Sequence, residues 1–247
     1  FPAFVPIFAH MQPICSGGVA QTRPDKGAVA CRAPHFALSP LGRQRIRPRT
    51  MKILDIHTHD SSRENAIINL SKEVTLQPGK LYSAGLHPWD TDAPDADKAI
   101  DRLEIEAASP LIAAIGEAGL DRLRGAHLDR QMQFLRLQLE ISRKTQKPII
   151  LHIVKAFAEI IRLHKELKPE EPWIIHGFRG KPQLARQLVD EGFYLSLGER
   201  FNSESASVIP SSRLLVESDE SQLPIEQIAA AFPQLDPALP YRLLRAD

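Results

Sequence analysis

Pro148-Ile149-Ile150-Leu151-His152-Ile153 is an apolar run interrupted once, by a histidine. A strand with one wet face would alternate apolar and polar residues; this one does not, so it reads as a strand buried on both sides. Before it, Leu128, Met132, Leu135 and Leu139 recur at steps of four, three and four. After it, Phe157, Ile160, Ile161 and His164 keep to one helical face. A buried strand between two amphipathic helices is the unit of a parallel α/β sheet.

The unit repeats in both directions. KILDIHTH (52–59), AIINL (66–70), LYSAGLHP (81–88) and LIAAIGEAGL (111–120) precede it, and WIIHGF (173–178), FYLSLG (193–198) and LLVESD (214–219) follow. A further helix is predicted from Pro182, suited to a first turn, to Gly192, a natural stop. Eight such runs predict an α/β fold, a (β/α)8 TIM barrel somewhat shortened in residues 51–247. The competing arrangement, an open doubly wound sheet, wants a Gly-rich phosphate loop after its first strand, and Asp55-Ile56-His57-Thr58-His59 is not one. After Asp219 the sequence offers one short helix, Ile225 to Ala231, and then a Pro-rich stretch. No closing helix is read in Tyr241 to Arg245, which predicts strand faces beside Asp219 that a second chain would have to cover.

The chain has 247 residues, 43% hydrophobic and 25% charged, with two cysteines. Cys15 and Cys31 cannot build a disulfide scaffold or a four-thiolate zinc site. No apolar run approaches the roughly 18–20 residues of a membrane-spanning helix, and the expected location is cytoplasmic. Residues 1–50 hold seven of the 31 Lys+Arg, one of the 30 Asp+Glu and seven of the 20 prolines. That segment reads as a disordered extension, or as sequence upstream of a start at Met51, in preference to an organellar transit peptide. Residues 51–247 keep 24 basic and 29 acidic side chains, a net of −5.

Within this body His57, His59, His87, His152 and His176 fall at or just after predicted strand ends, as do Glu117 and Asp219. A parallel barrel gathers those ends on one face, where its chemistry is found. A lone histidine in an apolar run is best read as a hydrogen-bonded core residue. Seven metal-competent groups from six of these runs read as a site for divalent cations instead. His57 and His59, two apart on a strand, project to one face; Asp55 shares that direction and reads as a partner orienting an imidazole. His127 and His164 read as surface residues.

These motifs resemble a known family. Asp55-Ile56-His57-Thr58-His59, Gly85-Leu86-His87-Pro88, Gly116-Glu117-Ala118-Gly119-Leu120-Asp121, His176-Gly177-Phe178-Arg179-Gly180 and Glu217-Ser218-Asp219 are similar, in order, to the signatures of TatD-type metal-dependent hydrolases. The resemblance covers nearly all of residues 52–221 and implies a TIM-barrel deoxyribonuclease with two divalent ions (Zn, Mn or Mg). By that resemblance His57 and His59 bind the first ion, Glu117 bridges both, and His152 and His176 hold the second. Asp219 is the catalytic acid/base at the first. A metal-activated water would then cleave a phosphodiester.

His87, Lys155 and Arg179 are candidate substrate contacts, and Trp89 could stack on a base. A net-acidic body fits single-stranded DNA ends or short oligonucleotides better than duplex, and no membrane partner is expected. Two alternatives stand beside this reading: a binuclear hydrolase of a carboxylic ester, amide or lactone, and an idle metal-binding scaffold. Oligomeric state is not legible.

Overall fold

The computed structural model describes residues 51–71 and 74–244. The N-terminal segment 1–50, with both cysteines and the predicted extension, lies outside the described residues.

Eight strands follow one another: β1 (Asp55–Thr58), β2 (Ala66–Asn69), β3 (Leu81–Ala84), β4 (Ile112–Asp121), β5 (Ile149–Val154), β6 (Trp173–Ile175), β7 (Tyr194–Leu197) and β8 (Leu214–Val216). Each is parallel to the next, in chain order. The barrel closes through a parallel bridge between Thr58 and Asp219. There the Asp219 N–H donates to the His57 carbonyl at 2.9 Å, and the His59 N–H donates to the Asp219 carbonyl at 3.1 Å. The seam of this TIM barrel is thus fastened by residues of its histidine- and carboxylate-bearing mouth.

The helices are α1 (Ala96–Glu106), α2 (Leu128–Thr145), α3 (Phe157–Leu167), α4 (Pro182–Asp190), α5 (Ser203–Val208), α6 (Ile225–Ala229) and α7 (Leu239–Leu243). α2 is well punctuated: His127 caps its N-terminus by accepting from the Asp129 N–H, and Gln146 ends it in the left-handed conformation. Asp129 in its first turn and Arg143 and Lys144 in its last complement the helix dipole. Among the described residues no helix joins β1 to β2 or β2 to β3; Leu70, Val74 and Leu76 pack over the core there instead.

Strand alternation builds two layers inside the barrel. Ile150, Ile174 and Leu215 lie two residues before His152, His176 and Glu217, so they share a direction with them, one rung deeper. Ile174 and Leu215 pack with Ile56 and with Leu239 of α7, and Ile150 packs with Ile67 and Ala114. The Tyr241 hydroxyl lies 3.2 Å from the Lys52 carbonyl and from Asn65 Oδ1 at the N-terminal ends of β1 and β2. α7 therefore plugs the barrel floor, and α6 covers β8 with Ile225 and Ile228 buried. This corrects the expectation of an uncovered C-terminal edge: two short helices, carrying few apolar residues each, do the work of a long one. His164 is also corrected. Its ring is half-buried, with centroids 5.0 Å from Trp173 and 4.4 Å from Phe193.

No described helix is long and apolar enough to cross a membrane.

Candidate metal centre

The local backbone of β4 aims the central side chain. Its pairing passes from Ile115↔Ile149 to Ala118↔Leu151, three residues against two, and the bulge contains Gly116 and Glu117. Gly116 has φ +128°, and a Cβ there would stand 2.5 Å from the Ile150 carbonyl. At Gly119, φ +151°, a Cβ would meet the His152 carbonyl at 1.9 Å. Only glycine lets β4 pass so close to β5, and the result is Glu117 turned into the barrel mouth, 4% exposed.

Glu117 divides its two oxygens between two groups of imidazoles. Oε2 lies 3.4 Å from His57 Nε2 and 3.4 Å from His59 Nε2. Oε1 lies 2.8 Å from His176 Nε2, 2.9 Å from His152 Nδ1 and 3.1 Å from His87 Nε2. Asp219, with φ +54°, brings Oδ1 to 3.9 Å from His57 Nε2 and 3.7 Å from His59 Nε2. Its side chain is 28% exposed, so the first group opens to solvent beside a carboxylate. Of the candidate residues, the structure brings together His57, His59, His87, Glu117, His152, His176 and Asp219. Arg179 is exposed on a separate cleft of which Asp219 forms one wall. Lys155 is exposed after β5 and has no hydrogen bond or ion pair among the described residues.

The donor set fits divalent cations on its own chemistry. Both ring nitrogens of His57 are buried without a hydrogen-bond partner, and its Nε2 faces Glu117 and Asp219; the outer nitrogens His152 Nε2 and His176 Nδ1, also without a hydrogen bond, face Asp121 and Glu217 instead. Such orphaned nitrogens are costly unless something fills the gap. His57, His59 and Asp219 can share one ion; His87, Glu117 and His152, or His57, Glu117 and His176, can share another. No thiolate intrudes among the described donors, which suits ions that accept nitrogen and oxygen ligands. Burial alone would push Glu117 up, but the His176 charge and hydrogen bonds with His152 and His176 outweigh it and hold the carboxylate well below its usual range. Burial opposes protonation of His176, yet Glu117 and Glu217 raise it well above the ordinary imidazole value. The field that draws a proton to that ring is one that draws a cation. Asp219 is shifted opposite to Glu117: burial and then the Glu217 charge push it up.

A supporting ring of side chains orients the imidazoles. Glu217 Oε1 accepts from the Gly177 N–H at 2.6 Å and lies 3.4 Å from His176 Nδ1. Asp121 Oδ2 lies 3.5 Å from His152 Nε2 and accepts from the Trp89 indole N–H at 2.6 Å. Two buried glutamines of α2 hold the loops beneath. Gln138 pairs with both backbone groups of Leu86, and Gln131 takes the Asp121 N–H and donates to the Asp121, Arg124 and Ala126 carbonyls. Asp121 and Glu217 lie inside the motifs quoted above without a role of their own, and Gln131 and Gln138 stand outside them. The available signal was a polar side chain inside a buried run, as in Leu-Leu-Val-Glu217, and two glutamines seven apart on the apolar side of α2.

Asp55 does not orient an imidazole. Its Oδ1 accepts from the Ser218 N–H at 2.9 Å, and its Oδ2 accepts from the Ser218 hydroxyl at 2.6 Å. β1 is bulged between Asp55 and Thr58, so simple alternation does not carry Asp55 to the cluster. Trp89 stands over the site, its ring 4.6 Å from His87 and 5.6 Å from His152, with Arg124 stacked on it at 3.8 Å.

An eight-stranded parallel barrel whose mouth carries five histidines, a shared buried glutamate and a half-open aspartate is the architecture of a metal-dependent hydrolase. The chain belongs to the TatD-related DNase family, whose model matches residues 43–227. The Mycobacterium tuberculosis protein named uncharacterized metal-dependent hydrolase TatD is 29% identical over 158 residues, 58% of this chain and 60% of that protein. Escherichia coli YcfH, also named as a metal-dependent hydrolase, is 31% identical over 152 residues, 58% of this chain and 56% of that protein. A Cronobacter turicensis protein named 3'-5' ssDNA/RNA exonuclease TatD is 31% identical over 161 residues, 59% of each chain. The chain spans about 60% of the length of the first of these relatives. The crystal structure of the TatD homologue YjjV from Escherichia coli K12 superposes with a TM-score of 0.63 at 18% identity, over 79% of this chain and 98% of that one. The likeness is one of fold.

Proposed function

We propose that the chain cleaves phosphodiester bonds in single-stranded DNA ends or short oligonucleotides, using two divalent cations, Zn, Mn or Mg. The observation that carries the reading is the division of Glu117 between His57 and His59 on one oxygen and His87, His152 and His176 on the other. The Cronobacter relative's name supports the choice of substrate. In this reading His57, His59 and Asp219 hold the first ion, His152 and His176 the second, and Glu117 reaches both. Bound there, divalent cations supply Lewis acidity toward phosphoryl oxygens and acidify a water.

The rest of the work falls to the side chains. Asp219, strapped to the β1 seam through its own backbone N–H and carbonyl, presents Oδ1 at the open side of the first group and accepts the attacking water's proton there. Glu217 and Asp121 hold the His176 and His152 rings in place from behind. Trp89 walls the mouth beside His87 and His152. His87 is a neighbour of Glu117 Oε1, so its part is at the phosphoryl group or its immediate surroundings rather than at a distant subsite.

The test is hydrolysis of labelled single-stranded oligonucleotides beside carboxylic esters, amides and lactones, with each metal. Turnover of oligonucleotides, lost in Asp219→Asn while metal content is retained, is the expected result. Turnover restricted to the carbonyl substrates would replace the reading, and inertness toward both panels would favour a metal-binding scaffold.

A further inference from the structure

Glu217 is fully buried, yet only one of its oxygens is engaged. Oε1 accepts from the Gly177 N–H at 2.6 Å and stands 3.4 Å from His176 Nδ1. Oε2 has no hydrogen-bond partner among the described residues. An anionic oxygen shut away from water is costly unless a positive group meets it. Asp219 follows two residues later, and Ser218 between them is turned aside to Asp55. Both carboxylates line a cleft of about 150 Å³ formed by the loops after β6, β7 and β8. At its outer end the charges balance: Glu199 and Glu220 are matched in number by Arg179 and Arg200, and all four are exposed. The inner wall has no such balance. Its two carboxylates have His176 as a neighbour, and that ring is committed through Nε2 to Glu117 at 2.8 Å.

We propose that Glu217 and Asp219 hold a further divalent cation at the inner end of this cleft, distinct from the two that Glu117 serves. One donor atom each of His176, Glu217 and Asp219 lie within 4.8 Å of one another. Ligands at about 2.1–2.4 Å from one ion stand no farther apart than that. Glu217 contributes Oε2, and Asp219 the oxygen it does not turn toward His57 and His59. His176 is a positioning residue here: with the Gly177 N–H it occupies Oε1 and leaves Oε2 for the ion. Two carboxylates beside an open cleft suit a hard cation that keeps several waters, magnesium or manganese in preference to zinc. The imidazole-rich centre next to it has the opposite preference. The site does not depend on which bond the centre cleaves.

The experiment counts and places manganese ions in the full chain. Equilibrium dialysis of chelator-treated protein against Mn²⁺ is expected to show one weak equivalent, filling at about 10⁻⁴–10⁻³ M, after the tighter ions of the imidazole centre. In Glu217→Gln, which keeps an acceptor for the Gly177 N–H but removes the charge, that weak equivalent is expected to bind at least tenfold less tightly. An unchanged weak equivalent in this variant, or none in wild type, overturns the proposal. Crystals of wild type grown in millimolar manganese supply a measurement independent of any variant. An anomalous peak within about 2.4 Å of Glu217 Oε2 and of an Asp219 oxygen is the expected result. Its absence at saturating manganese overturns the site, even where Glu217→Gln misfolds or also loosens the ion at His176. Peaks at Glu117 report on the imidazole centre and a peak between Glu217 and Asp219 on this one, so the two readings fail separately.

Discussion

Ser218 couples the barrel seam to the site, and its removal has a pH signature. Its hydroxyl donates to buried Asp55 at 2.6 Å and lies 2.9 Å from the Thr58 hydroxyl. Burial is the main force on Asp55, with Ser218's hydrogen bonds opposing it, and the carboxyl is raised from 3.8 to about 6. A shift of that size corresponds to about 3 kcal/mol. Its sign follows from linkage. The folded protein holds this proton more tightly than the unfolded chain, so the contribution is fully present below about pH 4 and is lost as pH rises through about 6. Above that, Asp55 is a buried anion that depends on Ser218. Ser218→Ala removes a charge-assisted bond worth about 2 kcal/mol at pH 8, or about 4–8 °C in Tm for a domain of this size. At pH 5 Asp55 is protonated, the lost bond is a neutral one worth about 1 kcal/mol, and the cost is halved. Urea unfolding of chelator-treated protein at the two pH values measures both numbers, and Ser218→Thr, which keeps the hydroxyl, is expected to recover most of the loss. Equal losses at pH 5 and pH 8, or a threonine variant as weak as alanine, would refute the reasoning.

Two further outcomes are expected. Trp89→Phe keeps the aromatic wall but deletes the indole N–H that steadies Asp121 behind His152, and metal affinity should drop about 10–100-fold by titration with an unchanged circular dichroism spectrum; unchanged affinity would remove Trp89 from the supporting ring. Burial depresses His164, so its charging opposes folding: the stability its neutral ring contributes holds above about pH 6.5 and declines as pH falls. His164→Phe should flatten that decline between pH 7 and 5 in thermal melts, and an identical slope in both proteins would contradict it.

Much of this architecture is legible before any coordinates, for a physical reason. Strands buried on both faces must be apolar throughout, so a histidine or glutamate inside one stands out, as His152 does in Pro-Ile-Ile-Leu-His-Ile. The helices are less legible where few residues are buried. α1 buries only Ala96 and Leu103 in a run of charges, α5 is six residues long, and α7 fits between two prolines and the end of the described chain. What periodicity cannot convey is which strand a polar residue answers to. Asp55 shares spacing with His57 and His59, yet a bulge and a serine from β8 capture it. Glu217 serves His176 from a strand two places away, and Asp121 serves His152 with help from a tryptophan after β3. Pairings of that kind exist only once the barrel has closed.

The claim on which the rest turns is that Glu117 serves two cations at once. Anomalous diffraction from crystals grown with zinc or manganese, recorded on both sides of the metal edge, tests it directly. The expected map holds two peaks flanking the Glu117 carboxylate, one toward His57 and His59 and one toward His152 and His176. A lone peak, or peaks that leave Glu117 untouched, would contradict it.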